Sequence, residues 1–333
     1  MLPAMRSMRF APAALAATVL VVSVVVLAAP LAALQATPTP PYKPATTATA
    51  TSMPVILPAQ TLLPTPTRMG AGPAPSSTPR TRATATPPAT ETPGPTPDRV
   101  WRHVRVPILM YHYVTVPPPG ADNYRVGLSV TPEQFREQMT YLVEHGYTTV
   151  TLDDVLFALN QGRALPPKPV VLSFDDGYAE MYTNVFPVLQ ELGLVGTFFV
   201  VTGWIDDENP DFLSWTQARE MAEAGMRIES HSKSHPDLSD KPRDYIVYEV
   251  LGSIESIEAH VGRRPRFFCY PAGAFDDYLV SLLPEFGLWG AVTTQAGTRH
   301  YSDAPYTMRR VRISNDTTLA QFAAFLEWGK EGD

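Results

Sequence analysis

Two adjacent carboxylates, Asp175 and Asp176, lie in the segment LSFDDGY, directly after the apolar run Pro169–Val171. Successive side chains of a strand point to opposite faces, so neighbouring residues can serve one site only where the strand ends. Gly177 permits the sharp turn that this requires. The pair therefore predicts either a chemical site or a solvated strand-to-helix turn, in which one aspartate caps a helix beginning near Tyr178.

A later segment, HSKSHP, places His231 and His235 four residues apart. Pro236 disfavours helical backbone at His235, so this segment is predicted to be a loop. A solvated polar loop is the simpler interpretation of the segment taken alone. Two imidazole nitrogens joined by a carboxylate oxygen from another strand would form a ligand set suited to Zn²⁺ or another divalent ion.

These segments carry a resemblance to a known family. FDDG, HSKSH about 55 residues later and YPAG at 270–273 resemble, in this order and spacing, the motifs of the NodB-type polysaccharide deacetylases. The resemblance covers roughly residues 104–325. It implies that Asp175 is the general base and that Asp176, His231 and His235 bind a divalent metal. Zn²⁺ fits such a set, as do Co²⁺ and Ni²⁺.

The third motif supplies the candidate substrate-binding residues. By the resemblance these are Tyr270, Pro271, Ala272 and Gly273. The backbone N–H of Ala272 is then a candidate donor to a developing oxyanion. Other aromatic residues near strand ends are candidates for stacking on sugar faces, although such residues are as often part of a core. They are Tyr113, Tyr178 and Trp204.

The sequence departs from the family pattern at two catalytic positions. No histidine follows His300, so the usual C-terminal general acid is missing. The early Tyr-His pair resembles the subgroup that deacetylates poly-N-acetylglucosamine and makes His112 the candidate acid; the alternative is an imidazole satisfied at a strand end. Cys269, expected to be a buried core residue, occupies the position of the family's arginine. Arg310 is the candidate replacement, with an exposed basic strand as the alternative.

Short apolar strands alternate with amphipathic helices from residue 104 onward, which predicts an α/β fold with a parallel sheet. Seven or eight such units in about 230 residues favour a distorted (β/α) barrel of about seven strands. Capping boxes at Thr131–Gln134 and Ser214–Gln217 predict the starts of two helices. We expect the functional face at the carboxyl ends of the strands, where the three motifs lie.

The first 99 residues differ in composition from the rest. Residues 1–35 are predicted to be a signal or anchor segment, because Arg6 and Arg9 precede an apolar run that approaches the roughly 20 residues needed to span a bilayer. An uncleaved anchor is favoured over a cleaved signal. Residues 36–99 contain 16 of the 35 prolines and 16 threonines, which predicts a disordered linker. Residues 100–333 form the predicted catalytic domain, exported and facing outside.

Charge and cysteine content limit the partners of this domain. Residues 100–333 hold 19 basic and 31 acidic residues, a net charge of −12, which disfavours nucleic-acid binding. The single cysteine excludes an internal disulfide. We expect a monomer whose partners are an acetylated polysaccharide and, through residues 1–35, a membrane.

The resemblance implies a metal-dependent hydrolase that removes N-acetyl groups from polysaccharides containing N-acetylglucosamine. Peptidoglycan, poly-N-acetylglucosamine and chitin are all compatible substrates. One alternative is an esterase acting on O-acetyl groups, as in acetylated xylan. Another is an inert, stalked glycan-binding module, which the complete set of two aspartates and two histidines argues against, because a lectin needs no base beside a metal.

Overall fold

Seven of the twelve strands within residues 93–329, the part of the chain that this computed structural model describes, close into a parallel barrel. The strands are β1 (His103–Arg105), β2 (Ile108–Tyr111), β3 (Tyr113–Val114), β4 (Ser129–Val130), β5 (Thr148–Thr149), β6 (Pro169–Phe174), β7 (Gly196–Val200), β8 (Arg227–Ser230), β9 (Phe267–Cys269), β10 (Gly290–Ala296), β11 (Arg299–Tyr301) and β12 (Met308–Arg312). The barrel order is β2-β12-β10-β9-β8-β7-β6, and β6 pairs back with β2. The predicted (β/α) barrel is confirmed.

The closing contact of the barrel runs from Ile108 opposite Val171 to Tyr111 opposite Phe174. The two-residue β5 adds to the start of β6. Outside the barrel, β1 pairs antiparallel with β11, and β3 pairs with β4. Because the barrel strands are parallel, their carboxyl ends meet at one rim.

Helices surround this barrel. They are α1 (Asn123–Leu128), α2 (Pro132–Glu144), α3 (Leu152–Gln161), α4 (Phe186–Leu192), α5 (Thr202–Asp206), α6 (Trp215–Glu223), α7 (Arg243–Ile246), α8 (Gly252–Val261), α9 (Asp277–Leu282) and α10 (Leu319–Glu327). π-helical turns lie at Met181–Val185 and Val247–Leu251, and 3₁₀ turns at Pro271–Gly273 and Leu283–Phe286. The two predicted capping boxes are present, with Thr131 and Ser214 as the N-caps of α2 and α6.

The alternation of side chains along the strands divides the core into an inner and an outer layer. Ile108, Val171 and Phe199 pack with residues of α3 in one buried cluster. Their neighbours Leu172 and Phe198 pack instead in a cluster with helices of the outer layer. The strands are therefore buried on both faces, which holds the rim at their carboxyl ends in place.

Several predicted elements differ in extent from those in the structure. The apolar segment 106–114 predicts one continuous strand, but the structure interrupts it at His112, between β2 and β3. The helix expected from Tyr178 begins at Met181, because Tyr178 forms an isolated bridge with Phe212. The short helices α1 and α5 were not predicted.

None of the helices within residues 93–329 is long and apolar enough to span a bilayer. The predicted anchor, residues 1–35, lies outside the described residues, as do residues 36–92 of the predicted linker.

Candidate metal centre

The predicted site residues meet at the carboxyl rim of the barrel. Asp175 and Asp176 follow β6, His231 follows β8 and the YPAG segment follows β9. His112 directly follows β2, the strand that pairs with β6 and closes the barrel. Residues far apart in the sequence therefore converge because their strands are parallel.

Asp176, His231 and His235 form a convergent set of ligand atoms. Asp176 Oδ1 lies 3.3 Å from His231 Nε2 and 3.5 Å from His235 Nε2, and the three donor atoms all lie within 4.8 Å of one another. Ligands about 2.0–2.1 Å from a tetrahedral Zn²⁺ are separated by roughly 3.3 Å. The three side chains therefore fit a divalent cation without large movement.

The orientation of His231 also suits a metal ligand. The ring is 2% exposed, and its Nδ1–H donates to the Cys269 carbonyl oxygen at 2.7 Å. Metal-binding histidines commonly donate their second ring N–H to such a carbonyl, which fixes the tautomer and the ring plane. Nε2 is thereby left to face Asp176.

The loop that carries both histidines is held by Glu249, a buried residue of the π-helical turn Val247–Leu251. Its carboxylate accepts hydrogen bonds from the backbone N–H groups of Lys233 and Ser234, at 3.1 and 2.8 Å, and from the Ser234 hydroxyl. On the other side, the N–H of Gly203 donates to the Lys233 carbonyl at 2.7 Å. A Cβ at Gly203 would lie 2.5 Å from that oxygen, so the close approach requires glycine.

Four residues other than glycine adopt left-handed backbone at this rim. Asp176, Ser232, His235 and Ala272 have φ values of 71°, 66°, 59° and 54°. Such conformations are strained for residues other than glycine, and they cluster at functional sites, where the surrounding structure enforces them. The surrounding structure therefore fixes the backbone at the turn after the aspartate pair, and with it the direction of the side chains.

The Asp175 carboxylate forms a buried, bidentate ion pair with Arg310. Nη1 and Nη2 of the arginine donate to Oδ1 and Oδ2 at 2.7 Å each, and the two residues are 1% and 2% exposed. Burial raises the pKa of Asp175, but the charge and hydrogen bonds of the adjacent guanidinium, together with His112 and His231, bring it to well below its usual value. Asp175 is therefore neither solvated nor a helix cap, and the alternative of an exposed strand at Arg310 is wrong.

Arg310 is fixed by three further contacts. Its Nε donates to the Thr293 carbonyl at 2.9 Å, Nη1 to the Ser173 hydroxyl at 3.2 Å and Nη2 lies 3.2 Å from the Cys269 sulfur. Cys269 is buried, as expected, yet it touches this ion pair. Asp175, His231 and Cys269 also converge as a possible ligand group. Arg310 engages both Asp175 oxygens, and burial raises the pKa of the Cys269 thiol, so this second group is a poor cation site.

His112 lies beside the ion pair. The residue is 8% exposed, and its Nε2 is 3.8 Å from Asp175 Oδ2. Its buried Nδ1 has no hydrogen-bond partner among residues 93–329. Burial lowers the pKa of His112, and the charge of Asp175 partly opposes that shift. The imidazole is placed to exchange a proton with a group that enters the site.

The YPAG segment differs in part from the prediction. Tyr270 is 1% exposed and its hydroxyl donates to the Tyr306 carbonyl at 2.9 Å, so its side chain belongs to the core and does not contact a substrate. Pro271 is also buried, whereas Ala272 is exposed. Gly273 is required, because a Cβ there would lie 2.0 Å from the Thr294 hydroxyl oxygen.

His300 is buried on β11, where its Nε2–H donates to the Val106 carbonyl at 2.8 Å. The surrounding segment TRHYSDAPY is polar and is typical of a loop, but the structure places this histidine on a strand. Burial lowers its pKa to about 4. His300 does not lie at the carboxyl rim. Two residues that support the site were not predicted from the sequence: Glu249, which holds the histidine loop, and Ser173, which contacts Arg310.

Comparisons with known proteins show what this arrangement is similar to. A family model described as polysaccharide deacetylase matches residues 162–290. The Bacillus subtilis protein YxkH, which is named as a polysaccharide deacetylase, is 28% identical over 223 residues, covering 67% of this chain and 76% of that protein. A poly-beta-1,6-N-acetyl-D-glucosamine N-deacetylase of Escherichia coli is 28% identical over 237 residues, covering 59% of this chain and 35% of that protein.

A solved structure shares the architecture. The Streptococcus pyogenes deacetylase PplD, in complex with acetate, matches with a TM-score of 0.63 and 25% identity. That match covers 68% of this chain and 100% of PplD. The resemblance predicted from the three motifs is confirmed.

Proposed function

We propose that the domain that contains the match to the polysaccharide deacetylase family model, residues 162–290, is a metal-dependent hydrolase that removes N-acetyl groups from polysaccharides containing N-acetylglucosamine. One observation carries the proposal. Asp176 belongs to a set of side chains that can hold a cation. The neighbouring Asp175 is ionised, lies at the same rim and is not part of that set.

Asp176, His231 and His235 would hold the cation, which we propose to be Zn²⁺, with Co²⁺ or Ni²⁺ as alternatives. When bound, such an ion polarises the acetyl carbonyl and lowers the pKa of the attacking water.

Asp175 is the proposed general base. Its contacts with Arg310 keep it ionised and fix the plane of the carboxylate, so the oxygen that receives the proton is already oriented. A positioned base of this kind typically contributes about 10²–10⁴-fold to the rate. The role of Arg310 is to position and hold the charge of Asp175.

His112 is the proposed general acid. Its Nε2 lies 3.8 Å from the same carboxylate, so the proton that Asp175 accepts can pass to the imidazole and then to the departing amine. Catalytic hydrogen bonds are often longer before the substrate binds. The backbone N–H of Ala272, an exposed residue, is the proposed donor to the oxyanion of the tetrahedral intermediate.

The acid favours an amide substrate over an ester. An amine leaves only after protonation, whereas the alcohol of an acetyl ester needs less help. A buried histidine beside the base is therefore of most use for N-acetyl groups. The name of the Escherichia coli relative, a poly-beta-1,6-N-acetyl-D-glucosamine N-deacetylase, supports the same substrate class.

We also propose that residues 1–35 anchor the domain to a membrane, facing outward on residues 36–99. A flexible chain of this length has an r.m.s. reach of about 40–50 Å. Fractionation of cells that express the full-length chain should place it in the membrane fraction. Its recovery in the cytosol would contradict the anchor.

The substrate proposal is tested by acetate release from a panel of purified glycans. The panel contains β-1,6-linked N-acetylglucosamine oligomers, chitin oligomers, peptidoglycan and acetylated xylan, each with and without a chelator. We expect chelator-sensitive release from at least one N-acetylated glycan. Release from xylan alone would favour the esterase, and release that a chelator leaves unchanged would contradict the metal.

A further inference from the structure

A row of five rings in successive contact leads away from the metal centre. From the far end the rings are those of Tyr113, Tyr178, Phe212, Trp204 and His235, with successive centroid separations of 3.9, 5.2, 4.4 and 5.7 Å. All five residues are partly exposed. Since His235 is a proposed metal ligand, the row joins the reaction centre to a surface on the neighbouring loop.

A pocket of about 490 Å³ opens beside Phe212 in this row. Its walls combine the aromatic side chains of Phe212 and Trp215 with the polar side chains of Glu208, Asn209 and Gln217. Small-molecule sites are typically about 300–1,000 Å³, with apolar walls and a few polar groups. A sugar ring has an apolar face and a rim of hydroxyls, so this lining matches it.

We propose that the pocket binds a sugar two or more units away from the one being deacetylated on the same glycan chain. This inference rests on the proposed function and adds to it a preference for chain length. The pocket is separated from His235 by the rings of Trp204 and Phe212, so one sugar cannot occupy both places. A disaccharide therefore gains little from the pocket, whereas a longer oligomer fills it.

The test fills the pocket without touching the metal ligands. Thr216 is exposed on α6 and lines the pocket, so Thr216→Trp places a large side chain inside it. Glu223→Trp is the matched control, because Glu223 is exposed on the same helix and does not line the pocket. The assay measures kcat/KM for acetate release from N-acetylglucosamine disaccharide and hexasaccharide.

We expect the wild-type protein to favour the hexasaccharide, and Thr216→Trp to reduce that preference by about tenfold, the equivalent of about 1.4 kcal/mol of binding. Glu223→Trp should keep the wild-type preference. Phe212→Leu removes the aromatic face but retains an apolar side chain, so it should also reduce the preference. This second variant keeps the proposal testable if Thr216→Trp does not fold.

Two outcomes separate this inference from the function on which it rests. Wild-type protein that deacetylates both oligomers equally well per acetyl group would overturn the pocket while leaving the deacetylase intact. An equal loss on both oligomers in Thr216→Trp and in Phe212→Leu would do the same. Wild-type protein that releases no acetate from either oligomer would overturn both proposals.

Discussion

Replacing Arg310 with methionine should destabilise the protein strongly, because it leaves Asp175 buried without its partner. The two residues are 1% and 2% exposed and joined by two hydrogen bonds of 2.7 Å. Removing one partner of such a pair typically costs about 3–5 kcal/mol, most of it from the uncompensated charge. For a domain of this size, about 2–4 °C per kcal/mol gives a fall in Tm of roughly 6–20 °C.

The assay is thermal and urea unfolding of four proteins: wild type, Arg310→Met, Asp175→Asn and the double variant. Asparagine in place of Asp175 removes the unpaired charge, so the double variant should be more stable than the sum of the two single changes predicts, by about 0.5–3 kcal/mol. Arg309→Met is the control, since Arg309 is exposed on the same strand and should change stability by no more than about 0.5 kcal/mol.

The reasoning would be refuted by an Arg310→Met protein as stable as Arg309→Met. It would be refuted equally by additive effects in the double variant, because the two charges would then not depend on each other.

Three further predictions concern other groups. His112→Ala should lower deacetylation of N-acetylglucosamine oligomers by about 10²–10⁴-fold yet retain most hydrolysis of an aryl acetate, whose leaving group needs no proton; equal losses would place the acid elsewhere. Glu249→Ala should weaken metal binding, measured by calorimetry, by about 10–100-fold, because the histidine loop loses its anchor; unchanged affinity would show that the loop is held without it. Burial, helped by nearby Asp153, raises the pKa of Glu229 from 4.5 to about 8. The folded state thus favours the protonated form of Glu229. The stability that this protonated form contributes is complete below pH 4.5 and is lost as the pH rises towards 8. Glu229→Gln should therefore raise Tm more at pH 8.5 than at pH 5, and an equal change at both would contradict the shift.

The parts of the site that local sequence determines could be predicted. Gly177 after two aspartates indicates a turn at a strand end, and Pro236 after His235 indicates a loop. Both features are present where they were expected. The barrel also followed from the alternation of apolar strands with capped helices.

Contacts that depend on strand order could not be predicted in the same way. The alternation of side chains gives the face on which Arg310 lies, but the sequence does not state that β12 is inserted between β2 and β10. Only that order brings the guanidinium to Asp175. Similarly, Glu249 has the sequence context of an ordinary helical glutamate, and its burial results from the histidine loop that crosses it.

Two local deviations had no clear sequence signal. The strand pattern runs through His112 without a glycine or proline, although the structure interrupts the strand there. The π-helical turn Val247–Leu251 interrupts what reads as one continuous helix from 243 to 261. Both deviations lie at the candidate site, where tertiary contacts override local preference.

The central claim is that Asp176, His231 and His235 form a metal centre on which deacetylation depends. Metal content after dialysis against Zn²⁺, measured together with acetate release from N-acetylglucosamine oligomers, tests it most directly. Wild-type protein and His145→Ala, whose histidine is exposed and distant in sequence from the motifs, should retain one equivalent of metal and activity. His235→Ala should lose both together. Stoichiometric metal in His235→Ala, or full activity without metal, would contradict the account.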